Sequence, residues 1–263
     1  MKGIYAVFRK ELSLYFVSPI AYVVVGGFLL LAGFFFQTFL GLIDQHSRQM
    51  AMQSMQFGTP FEIDVPGETM RSFFGVCGTI LLFVVPMLTM GSYAEERKRG
   101  TMELLMTSPV TDLEIVLGKY FAALALYLIM LLPTVLQMFI LFRGSDPTPP
   151  WRLALCGYIG VFLLGGSLLA IGQFLSSLTE NQIIASVWTF IVFLLLWVLD
   201  AAVRGSSQSG AGAVAKYLSV MRHFDDFIRG VMVGSNLIYY LSLITLGLLL
   251  TMRSIDSMRW RRA

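Results

Sequence analysis

Ionisable residues along this chain are spaced so that six uncharged windows remain, at 12–43, 72–94, 120–142, 153–179, 181–199 and 230–252. They hold 32, 23, 23, 27, 19 and 23 residues and are rich in Leu, Phe, Val and Ile. At about 1.5 Å of rise per residue, the shortest covers about 28 Å, just enough for a hydrocarbon core of roughly 30 Å. None alternates apolar with polar positions as barrel strands do, and lipid cannot satisfy an open strand edge. The pattern predicts an all-α polytopic membrane protein with six transmembrane helices near 19–42, 72–93, 118–141, 153–175, 182–200 and 235–253. Glu180 and Asp200 clip the fifth most tightly.

The segments outside the windows are unequal. Ile4, Phe8, Leu12 and Tyr15 recur at helical spacing among Lys2, Arg9 and Lys10. Residues 1–17 therefore read as an amphipathic interfacial helix ahead of Pro19, or as an inward extension of the first span. Its apolar continuation runs too far for a cleaved leader. Residues 43–71 read as an outer loop with nothing periodic, and Gly144, Asp146, Pro147, Pro149 and Pro150 mark a tight corner. The Gly/Ser run 205–212 reads as flexible. Beyond it, Val214, Leu218 and Met221 share one helix face, but Lys216, Arg222, Asp225 and Asp226 forbid a crossing. Residues 211–228 are thus expected as short helices dipping from the outer surface, with Asp225 and Asp226 paired to Arg222 or Arg229. Pro86 and Pro133 fall inside predicted spans and should kink them or leave a carbonyl unpaired. Gly26, Gly27, Gly157, Gly160, Gly165, Gly166 and Ala170 would let helices approach closely, within one chain or across a dimer seam.

Composition agrees with this reading. Of 263 residues, 56% are hydrophobic and only 13% charged, with mean hydropathy +0.74, so a soluble fold could not cover its surface. The net charge of +3 lacks the dense basic patch that nucleic acid needs, but its distribution reports orientation. With the N-terminus inside, inner segments hold 11 Lys and Arg in compact clusters, and outer segments hold 8 dispersed ones. The bias puts both termini in the cytoplasm.

Catalytic chemistry finds no support. No phosphate-binding loop occurs: ahead of and behind Gly118-Lys119, Leu113 and Tyr120 stand where a glycine and a hydroxyl residue are needed. Cys77 and Cys156 lie in apolar stretches as small hydrophobes, and His46 and His223 have no recognisable partners in sequence. The stretch 95–109 is different. Thr111 and Glu114 have capping-box spacing and should start the third span. Before Pro109, residues 101–107 read as a short helix exposing Leu104 and Leu105 beside Thr101 and Glu103, either docked on a cytoplasmic partner or resting on lipid.

Three motifs then carry a family resemblance over nearly the whole chain. They are Arg9-Lys10-Glu11-Leu12 with Ser18-Pro19; Glu95-Glu96-Arg97-Lys98-Arg99-Gly100-Thr101-Met102-Glu103-Leu104-Leu105 with Ser108-Pro109; and Phe224-Asp225-Asp226-Phe227 with Arg229-Gly230 and Tyr239-Tyr240. In these the chain resembles the ABC-2 type transporter permeases, in the branch similar to gliding-motility and copper-enzyme-maturation permeases. The resemblance implies a single ABC-2 type transmembrane domain over 1–263, with an interfacial N-terminal helix carrying Phe8, Arg9, Lys10 and Glu11. It implies a coupling segment, 95–109, that touches a separate ATPase through Glu95, Arg97, Gly100, Thr101, Glu103, Leu104, Leu105 and Pro109. It also implies two permease copies paired with two ATPases, ATP and Mg being held by the ATPase and no cofactor by this chain. The dimer seam would use the first and fifth spans, where Gly26, Gly27 and Trp188 lie. The expected setting is a bacterial plasma (inner) membrane. The expected function is ATP-driven export or extraction; the alternative is a membrane scaffold or mechanical-signalling subunit that moves no solute.

Overall fold

The computed structural model describes residues 2–57, 64–107, 109–145, 149–205 and 219–260. The described residues form ten helices. They are α1 Lys2–Val17, α2 Pro19–Phe57, α3 Val65–Thr89, α4 Ala94–Lys98, α5 Thr101–Thr107, α6 Asp112–Gly144, α7 Trp151–Ser177, α8 Gln182–Gly205, α9 Val220–Ile228 and α10 Gly234–Trp260. Five of them (α2, α3, α6, α7 and α10) are long and apolar enough to cross a membrane. The chain is an all-α, multi-pass membrane protein. Where the fifth span is expected lies α8, whose apolar run Gln182–Val198 is shorter than the five and falls short of their membrane-crossing length.

Helix α7 is the hub because its glycines leave room for side chains of several neighbouring helices. Gly157 lies under the Phe74 ring, Gly160 under Phe227, Gly165 under Tyr127 and Gly172 against Thr89. At Gly247 of α10 even a methyl group would meet the Ala170 backbone at 2.8 Å. Thus α3, α6, α9 and α10 all close onto one helix, as small residues permit where no hydrophobic effect separates helix from lipid. These glycines serve packing within the chain. The fit makes a prediction: Gly165→Ala, whose new Cβ would sit 2.3 Å from Tyr127 Cζ, should lower stability by about 1–3 kcal/mol through overpacking. Thermal unfolding in detergent checks this, with Gly41→Ala, which meets nothing within 4 Å, as the neutral comparison.

Interhelical hydrogen bonds pin the same contacts. Tyr127 Oη donates to the Val161 carbonyl at 2.6 Å, and Tyr120 Oη to that of Gly166 at 3.2 Å. Cys77 and Cys156 are buried free thiols. Helices α3 and α6 continue through Pro86 and Pro133.

Two segments differ from the expected layout. Instead of leaving helix at residue 42, α2 runs 39 residues, about 58 Å, well beyond a hydrocarbon core of roughly 30 Å. Past the membrane-length portion its polar residues still pair at helical spacing, as Asp44 does with Arg48 at 2.9 Å. The periodicity missing from this stretch is one of apolar residues, which a solvated helix does not need. In the second segment, residues 211–218 and most of the Gly/Ser run lie outside the described residues, but 220–228 forms α9. Ser219 caps it by accepting from Arg222 N, and Phe224 and Phe227 are buried against Gly78 and Gly160. Asp225 pairs with Arg229, whereas Asp226 accepts from Asn236 Nδ2 at 2.8 Å. Gly230, at φ +79°, turns the chain into α10.

Candidate functional site

The segment joining α3 to α6 is built in four steps. Helix α3 ends at Thr89, and the turn that follows buries Tyr93 and Ala94 completely. Ser176 near the end of α7 accepts from both Tyr93 N and Ala94 N, at 3.2 and 3.3 Å, and donates to the Met90 carbonyl. One hydroxyl thereby satisfies donors at the start of α4 that its own helix cannot. Gly100, at φ +69°, then reverses the chain into α5. Finally Thr111 and Glu114 exchange their side-chain and backbone hydrogen bonds in a full capping box that opens α6.

Two helices meet α4 through charge. Lys119 of α6 is almost wholly enclosed. Its Nζ lies 2.9 Å from Glu11 Oε1 on α1 and 2.9 Å from Glu96 Oε2 on α4, and donates to the Ser92 carbonyl at 2.8 Å. The Tyr93 ring lies 5.2 Å from the same ammonium. Glu96 Oε1 also accepts from Lys10 at 2.7 Å, and Lys10 reaches Glu11 at 3.3 Å. Two ammoniums and two carboxylates thus neutralise one another at the junction of α1, α4 and α6. Burial alone would lower the Lys10 pKa, but the hydrogen bonds and charges of Glu96 and Glu11 more than offset it and raise it. The Lys10 ammonium therefore persists through neutral pH, and its share of these ion pairs is lost as pH rises through that raised value, while in acid they are lost as the carboxylates protonate. Helix α1 can lie so close because Gly118 faces Val7; a Cβ there would be 2.7 Å from the Val7 Cβ. Tyr15 adds a tie to α3: burial pushes its phenol up to about 12, and it donates to the Leu88 carbonyl at 3.2 Å.

On the other side of α4, Arg97 donates to the Ser177 carbonyl at 2.8 Å and pairs with Glu180 at 3.0 Å. The next turn carries the Glu95–Arg99 ion pair. Thr101 donates to the Glu96 carbonyl. A satellite core of Tyr93, Met102, Ile115, Val116 and Ile255 holds α5 against α6 and α10.

Outward the segment presents Lys98, Arg99, Gly100, Glu103 and Pro109, with Leu104 the most exposed large apolar residue among them at 72%. Leu105 does not join it. It packs half-buried on the satellite core beside Met102, so the expected two-leucine ridge is a single leucine. The reason is geometric, since adjacent residues on a helix point about 100° apart.

Of the other sequence-derived candidates, Lys10 and Glu11 enter the charge cluster, Phe8 is half-buried and Arg9 points outward. Gly26 and Gly27 have open space before them, and Trp188 is 59% exposed. Sequence reasoning gave no site role to Glu96, Lys119, Ser176 or Glu180. The available signal was positional: Glu11 and Lys119 each border an uncharged window, where a charge at the rim of an apolar helix needs a partner at the same depth. Among the described residues, no group of three or more His, Cys, Asp and Glu could hold a metal ion.

Comparison with known proteins adds a family. The family described as ABC-2 family transporter protein matches residues 5–252. A probable multidrug ABC transporter permease, YbhS, from Escherichia coli strain K12 is 28% identical over 166 residues, or 60% of this chain. The protein of the same name from Escherichia coli O157:H7 matches equally. The match spans 42% of the length of these relatives.

Proposed function

This chain belongs to the ABC-2 family of transporter proteins, and we propose that it is the membrane subunit of an ATP-driven exporter or extractor in a bacterial inner membrane. In this reading α8 is a sixth crossing, its 24 helical residues covering about 36 Å. Both termini and the α4–α5 segment face the cytoplasm, in line with the clustered basic residues. Two copies pair with two ATPase subunits, which carry ATP and Mg; this chain hydrolyses nothing. Residues 1–17 lie along the inner interface, 95–109 forms the coupling segment, and α9 belongs to an outer segment that dips toward the membrane. The tail motif Phe224-Asp225-Asp226-Phe227 supports a place near the gliding-motility and copper-enzyme-maturation permeases.

The observation that carries this reading is the two-sidedness of α4–α5. Its outer face offers an unshielded leucine rimmed by charge, while its inner face is bonded to α1, α6 and α7. A subunit docking on Leu104, Glu103 and Pro109 would displace Glu96 and Arg97, and those side chains would carry the movement into three membrane-associated helices. Gly26, Gly27 and Trp188 lie on exposed faces of α2 and α8, which suits a seam between permease copies.

A single-cysteine scan tests the arrangement. Lys98→Cys should react with an impermeant thiol reagent only from the cytoplasmic side, and Gly27→Cys should crosslink between copies. Labelling of residue 98 from outside would end the topology. Copurification with an ATPase, followed by cargo-stimulated hydrolysis, separates a transporter from a scaffold.

A further inference from the structure

A cavity of about 630 Å³ opens beside the charge cluster, at the corner where α1 gives way to α2. Its volume lies within the range of roughly 300–1,000 Å³ typical of small-molecule sites. We infer that it binds one zwitterionic phospholipid from the adjoining leaflet, with the phosphate on Lys10 and Arg99 and the ammonium on Glu95. The leaflet is the cytoplasmic one if the proposed orientation holds; the site itself does not depend on that reading or on any cargo.

The two halves of the cavity differ in chemistry. One half is hydrocarbon: Ala21, Val24 and Leu88 form a buried floor, and Leu14, Ile20 and Met87 stand at the mouth with 52%, 48% and 44% of their surface exposed. Apolar side chains left open at the end of membrane helices suit acyl chains, which continue the same medium. The other half holds three cations (Lys10, Arg99 and Lys119) and three carboxylates (Glu11, Glu95 and Glu96). Lys119, Glu11 and Glu96 are held inside the buried cluster, and Lys10 reaches it from the rim, paired with Glu96 and Glu11 while almost half of its side chain stays open. Lys10, Arg99 and Glu95 keep 47%, 69% and 38% of their side chains accessible, and these are the groups a headgroup can reach.

Charge balance selects the headgroup. The lining sums to zero, so an anionic lipid would gain two cations but bring its charge toward three carboxylates. A zwitterion replaces the Glu95–Arg99 pair by two new pairs, phosphate on Arg99 and ammonium on Glu95, without leaving either side chain alone. A primary ammonium adds charge-assisted N–H hydrogen bonds to Glu95 that a quaternary one lacks.

The test uses the full-length chain in nanodiscs of equal phosphatidylethanolamine, phosphatidylcholine and phosphatidylglycerol, transferred to mild detergent for native mass spectrometry. One phosphatidylethanolamine per chain should be retained, enriched about tenfold or more over either competitor, the discrimination expected of one charge-assisted hydrogen bond. Ile20→Trp with Met87→Trp fills the apolar half and should abolish retention. Glu95→Gln should keep a lipid but lose the headgroup preference. Both variants enlarge or neutralise accessible side chains, and a monodisperse species of unchanged thermal stability shows that they fold. Equal retention of all three lipids, retention that survives the tryptophans, or a folded protein carrying no lipid because a second copy covers the corner would each overturn the inference. No ATPase is present, so failure here leaves the coupling reading intact, and failure to bind an ATPase leaves the lipid site intact.

Discussion

Lys119→Met should lower the unfolding free energy by about 3–5 kcal/mol, the usual effect of breaking a buried ion cluster from one side. The methionine stem fits the space, so the loss is electrostatic. It leaves Glu11 and Glu96 enclosed with Lys10 as their one remaining ammonium, and Lys10 is itself half in solvent. Adding Glu11→Gln restores the balance of one cation to one carboxylate and should recover much of the stability. A charge exchange, Glu96→Lys with Lys119→Glu, should fail, because it sets a glutamate against Glu11 and a lysine against Lys10. A simple two-residue bridge would instead be rescued by that exchange. Thermal unfolding of the three variants separates the cases. In the ATPase-bound protein, the stability-rescued pair Glu11→Gln/Lys119→Met should still hydrolyse ATP with reduced cargo stimulation, because α1 and α6 no longer move with α4 through a shared ammonium.

Leu104→Ala should weaken ATPase capture about thirtyfold. Burying a leucine in an interface contributes about 2 kcal/mol, and every 1.4 kcal/mol is about tenfold in affinity. At 72% exposure Leu104 stabilises little within the chain, so its loss should leave the melting temperature unchanged. Leu105→Ala should do the reverse, loosening the satellite core beside Met102 and Ile115 while sparing the direct contact. Titration of labelled ATPase into permease nanodiscs, read beside thermal unfolding, distinguishes the two leucines. The sequence motif alone treats them as equivalent.

That pair shows where the sequence was legible and where it was not. The helices could be read from gaps between charges because lipid exclusion acts on each segment separately. The Thr111–Glu114 capping box was equally local and stands where the spacing put it. The core of the site was not local. Lys119 contacts Glu11 from 108 positions away and Ser92 from 27, and nothing in the pattern of either helix selects that partner. Ser176 was invisible for the same reason, being an ordinary small residue until the end of α7 brings it under the start of α4. The prolonged α2 was missed because apolar periodicity reports only buried faces. Gly157 and Gly165, read as permitting close approach without a stated partner, acquired theirs once Phe74 and Tyr127 were placed over them.

The proposed coupling role makes α4–α5 the surface that a separate ATPase holds. Its most direct test is a photoreactive amino acid at position 104, with a second at position 52 on the far extension of α2, irradiated in cells that contain the neighbouring ATPases. A crosslink to an ATPase is expected from residue 104, diminished when Lys119→Met disturbs the segment, and none from residue 52. Capture from residue 52, or lipid adducts alone from residue 104, would contradict it.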